Sequence, residues 1–123
     1  MKRVFAAALC AVSFTGCATL HARDTRAAEH TLTAAGFRVK PADTPAKVAQ
    51  LDALTPRRLM RRPLDGEAHY IYADPVICQC LYVGGEAEYQ RVRELEEANV
   101  DRFYAIDGSE SWVDWSEWGI AIR

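Results

Sequence analysis

The sequence predicts an α+β fold: a small antiparallel sheet of three or four strands with helices packed on one face, preceded by a signal peptide and a tether. Three observations predict it. Apolar residues change spacing along the chain, from every third or fourth position to alternation. Asp65-Gly66 and Gly84-Gly85 punctuate runs rich in strand formers. A content of 50% hydrophobic and 26% charged residues is the balance of an ordinary folded protein. A chain of 123 residues holds one modest core, so the expected boundaries are 1–16 for the leader, 17–30 for the tether, 31–105 for the domain and 106–123 for a Trp-rich acidic tail.

Taken in order, Asp24 or Thr25 caps a short helix through Ala27, Ala28, Leu32 and Ala35, with Gly36 at its left-handed stop. Phe37-Arg38-Val39-Lys40 alternates as a half-buried strand ending at Pro41. Asp43-Thr44-Pro45 starts a second helix, with an oxygen cap and proline at the first helical position. Its stripe is Val48, Leu51 and Leu54, and Thr55-Pro56 closes it. Arg57 to Arg62 leads to the Asp65-Gly66 turn of a hairpin whose second arm is Ala68 to Ala73. Asp74-Pro75 interrupts that arm, Ile77 to Val83 resumes it, and a helix from about Glu86 to Tyr104 follows, with Tyr89, Val92, Leu95 and Phe103 on its inner side.

The N-terminus is the most specific segment. Met1-Lys2-Arg3 is basic, Val4 to Val12 is apolar and too short to span a bilayer, and small residues follow. Phe14-Thr15-Gly16-Cys17 resembles the lipobox of bacterial lipoproteins. The resemblance implies cleavage before Cys17 and acylation of its thiol, so that the one bound group is covalent lipid and the one assured partner is a membrane. Ala18 is not the aspartate that resembles an inner-membrane retention signal, which points to the periplasmic face of the outer membrane. An ordinary secretory leader cut near Ala18 is the alternative. Removal of the leader also removes Lys2 and Arg3, leaving a more acidic chain than the whole-sequence charge of −2 and arguing against nucleic acid as a partner.

The stretch from Ala73-Asp74-Pro75 through Cys78-Gln79-Cys80-Leu81-Tyr82-Val83-Gly84, with Tyr70-Ile71-Tyr72 before it, resembles uncharacterised proteobacterial lipoproteins. That likeness implies a shared fold and envelope location and brings no activity. Cys78 and Cys80 are the cysteine pair left once Cys10 departs with the leader and Cys17 takes lipid. Two residues apart on a flat strand puts Cα atoms about 6.6 Å apart, at the edge of disulfide geometry, so a disulfide requires a turn or bulge at Cys78. Three readings stay open: a disulfide, buried packing thiols, or a copper, zinc or redox site helped by His69 and Met60.

Arg57, Arg58, Arg61 and Arg62 form a basic cluster for anionic envelope material or for neighbouring carboxylates. Trp112, Trp115 and Trp118 recur every third residue and serve either as a partner surface or as a tail folded onto the core. Nucleophile, zinc and phosphate-loop motifs are missing from the sequence, and Asp74 with His69 is the one candidate hydrolytic pair. The leading functional expectation is a non-catalytic envelope adaptor for a protein or cell-wall partner; the alternative is a thiol-redox or metal protein.

Overall fold

The computed structural model describes residues 15–64, 66–96, 103–108 and 113–120, with side chains from Ala22 onward. Residues 1–14 of the expected leader, the Cys17 side chain, Asp65 and Trp112 lie outside the described part. Helix α1 spans Thr15–Ala34, followed by β1 (Arg38–Pro41), α2 (Pro45–Ala53), β2 (Leu59–Leu64), β3 (Glu67–Asp74), β4 (Cys80–Gly84), α3 (Glu86–Leu95) and β5 (Ile106–Asp107). A 3-10 turn over Trp115–Trp118 completes the order. Among the described residues no helix is long and apolar enough to cross a membrane.

The α+β class is as expected, with five strands in the order β1-β4-β3-β2-β5. All pairings are antiparallel except β2 with β5, where Met60 lies beside Ile106 in parallel register. The β2–β3 hairpin closes with Leu64 opposite Glu67, as the Asp-Gly turn requires, and Gly66 sits at φ +80°.

Both faces of the sheet are covered, whereas the sequence suggested one. On the first face Leu59, Tyr70, Tyr72, Cys80 and Tyr82 pack against Ala28, Leu32, Phe37, Tyr89, Val92 and Phe103, so α1 and α3 lie there. On the second, Met60, Ile71, Ala73 and Leu81 pack against Leu51, Leu54, Val113, Trp115, Trp118 and Ile120. Successive side chains on a strand point to opposite faces, so the unbroken buried run Tyr70 to Asp74 marks a strand enclosed on both.

Two expected boundaries move. Thr25, Ala28, Leu32 and Ala35 recur at helical spacing and are buried, so the packed unit begins within the stretch expected as a tether up to residue 30. The segment expected as a separate tail from residue 106 supplies β5 and four buried side chains, because the second face of the sheet needs an apolar cover that α2 alone is too short to provide. Helix α3 also ends at Leu95 rather than near Tyr104. Glu96 leaves helical geometry there and accepts the Thr31 hydroxyl at 2.7 Å, while Phe103 still reaches the core and Leu95 is exposed.

Local signals account for the ends of the helices. Gly36 takes φ +99° after α1, where the Phe37 N–H reaches back to the Leu32 carbonyl at 3.0 Å and Arg91 Nη1 caps the Ala35 carbonyl at 3.1 Å. Thr44 caps α2 by accepting the Lys47 N–H, with Pro45 at the first position. Glu88 reaches back to accept the Gly85 N–H at 3.0 Å at the start of α3.

Candidate functional site

Asp74 ends β3 and Pro75 follows it, the same cap-then-proline pair that starts α2. Here it produces only a single turn, over residues 75–78. Asp74 is 1% exposed, and its carboxylate accepts three backbone N–H groups, from Val76 at 3.0 Å, Ile77 at 2.9 Å and Cys78 at 3.0 Å. Three donors on one buried carboxylate hold the turn in one shape. Gln79 then adopts φ +51°, and its carbonyl accepts the Ala42 N–H at 2.9 Å.

This geometry brings the Cys78 and Cys80 Cα atoms to 5.2 Å and the two sulfurs form a disulfide. The turn does what a flat strand would not. Ile77 and Cys78, expected within the resumed strand, belong to the turn; pairing of β4 starts at Cys80, which is buried.

Beneath the turn lies a polar cluster on the α1 side of the sheet. Glu29, Asp74 and Cys78 each present a side-chain O or S atom, and these atoms lie within 4.8 Å of one another. Glu29 Oε1 is buried without a hydrogen-bond partner. Burial, followed by the neighbouring Asp74 carboxylate, pushes the Glu29 carboxyl up to about 7, against the smaller opposing effects of Tyr82 and Arg26. Asp74 moves the other way: its burial favours the neutral form, but the contact with Glu29 and the three backbone N–H groups outweigh it and hold the carboxyl below its ordinary value. Below about pH 7, and above the range where Asp74 takes up a proton, the pair therefore holds one proton, carried on the Glu29 side. Tyr72, raised to about 12 chiefly by burial, and Tyr82, raised by burial and then by Glu29, enclose the pair as neutral phenols.

The other sequence candidates do not converge on this site. Met60 lies on the opposite face of the sheet. His69 is five residues from Asp74 along β3, about 16 Å away and on the other face, which removes both the hydrolytic pair and a ligand for the cysteines. With Cys78 oxidised its sulfur is no thiolate, so a soft metal at Glu29, Asp74 and Cys78 first requires reduction of the disulfide.

The arginine cluster also divides. Arg57 and Arg58 are exposed in the loop before β2. Arg61 pairs with Asp107 at 3.8 Å, and Arg62 lies 5.4 Å over the Trp115 ring and donates to the Gly108 carbonyl at 3.0 Å. Alternation along β2 sends Arg61 and Arg62 to opposite faces. Trp115 and Trp118 are 3% and 2% exposed, so of the two readings the tail folded onto the core holds for them and the partner surface does not; Trp118 Nε1 donates to Gln50 Oε1 at 2.9 Å.

Glu29 was missed because it fell in the expected tether. The available signal was spacing: Thr25, Ala28, Glu29 and Leu32 follow the helical inner-face pattern. A cleft of about 280 Å³ adjoins the cluster, walled by Ala22 and Thr25 of α1, by Pro56 and Arg57, and by the turn from Asp74 to Ile77. Comparison with known proteins finds no matching family model, curated protein or solved structure.

Proposed function

We propose that this chain is a bacterial lipoprotein, acylated on Cys17 and held on the periplasmic face of a membrane, the outer membrane by preference, where its domain acts as a non-catalytic binding module for an envelope protein or cell-wall component. The observation that carries the reading is the Cys78–Cys80 disulfide, built into a turn that Asp74 organises. Structural disulfides belong to oxidising compartments, which is where a chain with this leader is delivered. Two or more acyl chains, at about 0.8 kcal/mol per buried methylene, hold such a domain without help from its surface.

Intact mass spectrometry of the membrane-extracted protein tests this directly. The expected mass carries diacylglycerol on Cys17 and increases by two hydrogens on reduction. An unacylated chain, or two thiols that alkylate without prior reduction, removes the reading.

Glu29 favours a second reading, thiol–disulfide exchange. A carboxyl with a value of about 7 beside the Cys78 sulfur is placed to protonate the Cys78 thiolate that departs when an external thiolate bonds to the Cys80 sulfur, an attack that requires the turn to open because Cys80 is buried. On this reading Glu29→Gln slows reduction by a small thiol about tenfold or more and flattens its pH profile near 7. A rate within twofold of the parent at every pH leaves only the structural disulfide.

A further inference from the structure

We propose that the end of the domain beside the first turns of α1 rests on the lipid bilayer, with Val76 and Ile77 entering the interfacial layer and Arg57 and Arg58 meeting lipid phosphates. The inference rests on acylation of Cys17 and deepens that reading by naming which surface the anchor presses against the membrane.

Position is the first support. Ala22 and Thr25 of α1 form one wall of the cleft whose other walls are Arg57 and the turn bearing Val76 and Ile77. Cys17 precedes Ala22 by five residues in the same helix, a rise of about 7.5 Å. Thr25 is already buried against the sheet, so little slack separates the lipid from the domain. The bilayer surface is then within roughly 10 Å of this end.

Composition is the second. Val76 is 79% exposed and Ile77 38%, adjacent apolar side chains on one turn. The three hydrogen bonds to Asp74 and the disulfide hold that turn in shape, so little conformational freedom is lost when it meets a surface. Arg57 and Arg58 are exposed in the adjoining loop, and guanidinium groups match phosphate oxygens in paired hydrogen bonds. The far end of β3 carries Glu67 instead, about 23 Å from Asp74.

A bilayer is favoured over a protein as the occupant because the anchor is itself lipid. Tethering makes the contact intramolecular in effect, at millimolar or higher local concentration, so that two apolar side chains and two cations suffice where free association would need a larger interface.

The lipidated full chain, its acylation verified by intact mass, is reconstituted into phosphatidylethanolamine–phosphatidylglycerol nanodiscs with brominated acyl chains. Val76→Trp is compared with Glu67→Trp at the opposite end of β3, each relative to the parent chain. The expected result is quenching of the added fluorescence at position 76 by about half or more and none at position 67, matching interfacial insertion of several ångströms. Quenching at 76 should weaken when Arg57→Gln and Arg58→Gln are combined. Acylated protein with no quenching at position 76, or equal quenching at both, overturns the membrane-facing end while leaving the lipoprotein reading intact. An unacylated chain overturns both, and quenching at 76 unchanged by the paired arginine substitutions overturns the phosphate contact.

Discussion

The sheet face under α1 and α3 carries three tyrosines, packs against a fourth on α3 and, at one end, sets the Asp74 carboxyl beside that of Glu29 on α1; the face under α2 and the C-terminal segment is filled by aliphatic side chains and two tryptophans. The first face includes hydroxyl groups with defined partners, such as Tyr70 donating to Glu86 at 2.6 Å while its ring stacks on Tyr89 at 4.1 Å. On the second, side chains such as Ile71 and Leu81 are fully enclosed, and burying each contributes about 1.5–3 kcal/mol. Stability and chemistry are thus divided between the two sides of one sheet. The apolar side supports a strand whose other side holds a costly buried acid pair.

The largest test of this division is Trp118→Ala on the apolar side. It should cost about 3–5 kcal/mol in urea unfolding, and the parent chain should show blue-shifted, poorly quenched tryptophan emission. A loss below about 1 kcal/mol would mean that the C-terminal segment does not complete the core. Asp74→Ala strips the turn of the acceptor for three N–H groups and should cost about 2–4 kcal/mol, with greater susceptibility of the Cys78–Cys80 bond to reductant. Retained stability would remove Asp74 as the organiser of the turn.

Gly84→Ala is next in size. A Cβ there would stand 2.9 Å from the Phe37 ring, and the forced repacking should cost about 1–3 kcal/mol. Unchanged stability would show that Phe37 moves aside freely.

Glu29 gives the smallest effect and the most diagnostic one. Its carboxyl ordinarily titrates near 4.5 and in the folded chain near 7. Below the first value it is protonated in both states. Between the two values the unfolded chain releases the proton and the folded chain keeps it, so stability falls as pH rises through that window and levels off above it. Partial exposure to solvent reduces the effect to about 1–2 kcal/mol. Asp74 has the opposite sign, contributing stability above its ordinary value of 3.8 that is lost on further acidification. Glu29→Gln, which imitates the protonated acid, should flatten thermal stability between pH 5 and 8. An unchanged pH profile in that variant would show that the buried pair is not the source of the dependence.

Much of the fold was legible because its signals are local. Asp65-Gly66 specified a hairpin, Thr44-Pro45 a helix start and Gly36 a helix stop, each through backbone preferences that act within a few residues. That a Cys78–Cys80 disulfide would need a turn or bulge at Cys78 also followed from chain geometry. Less of the candidate site was visible. The cysteine pair stood out, but Glu29 reaches Asp74 only because α1 packs across β3 and β4, a contact between residues 45 positions apart. Likewise Asp74-Pro75 and Thr44-Pro45 are alike as cap-and-proline pairs, yet one opens a nine-residue helix and the other a single turn. The β4 strand, already paired in the sheet, ends the second.

Spacing and composition were sufficient for the α+β class, the hairpin, the leader-like start and the cysteine pair, since those depend on periodicity and on residues close in sequence. Whether Trp115 and Trp118 would be surface or core, whether the arginines would act together, and which residue would face the disulfide depended on which elements cover which side of the sheet. Those outcomes are set by enclosure of apolar area and by desolvation, which depend on contacts between distant parts of the chain.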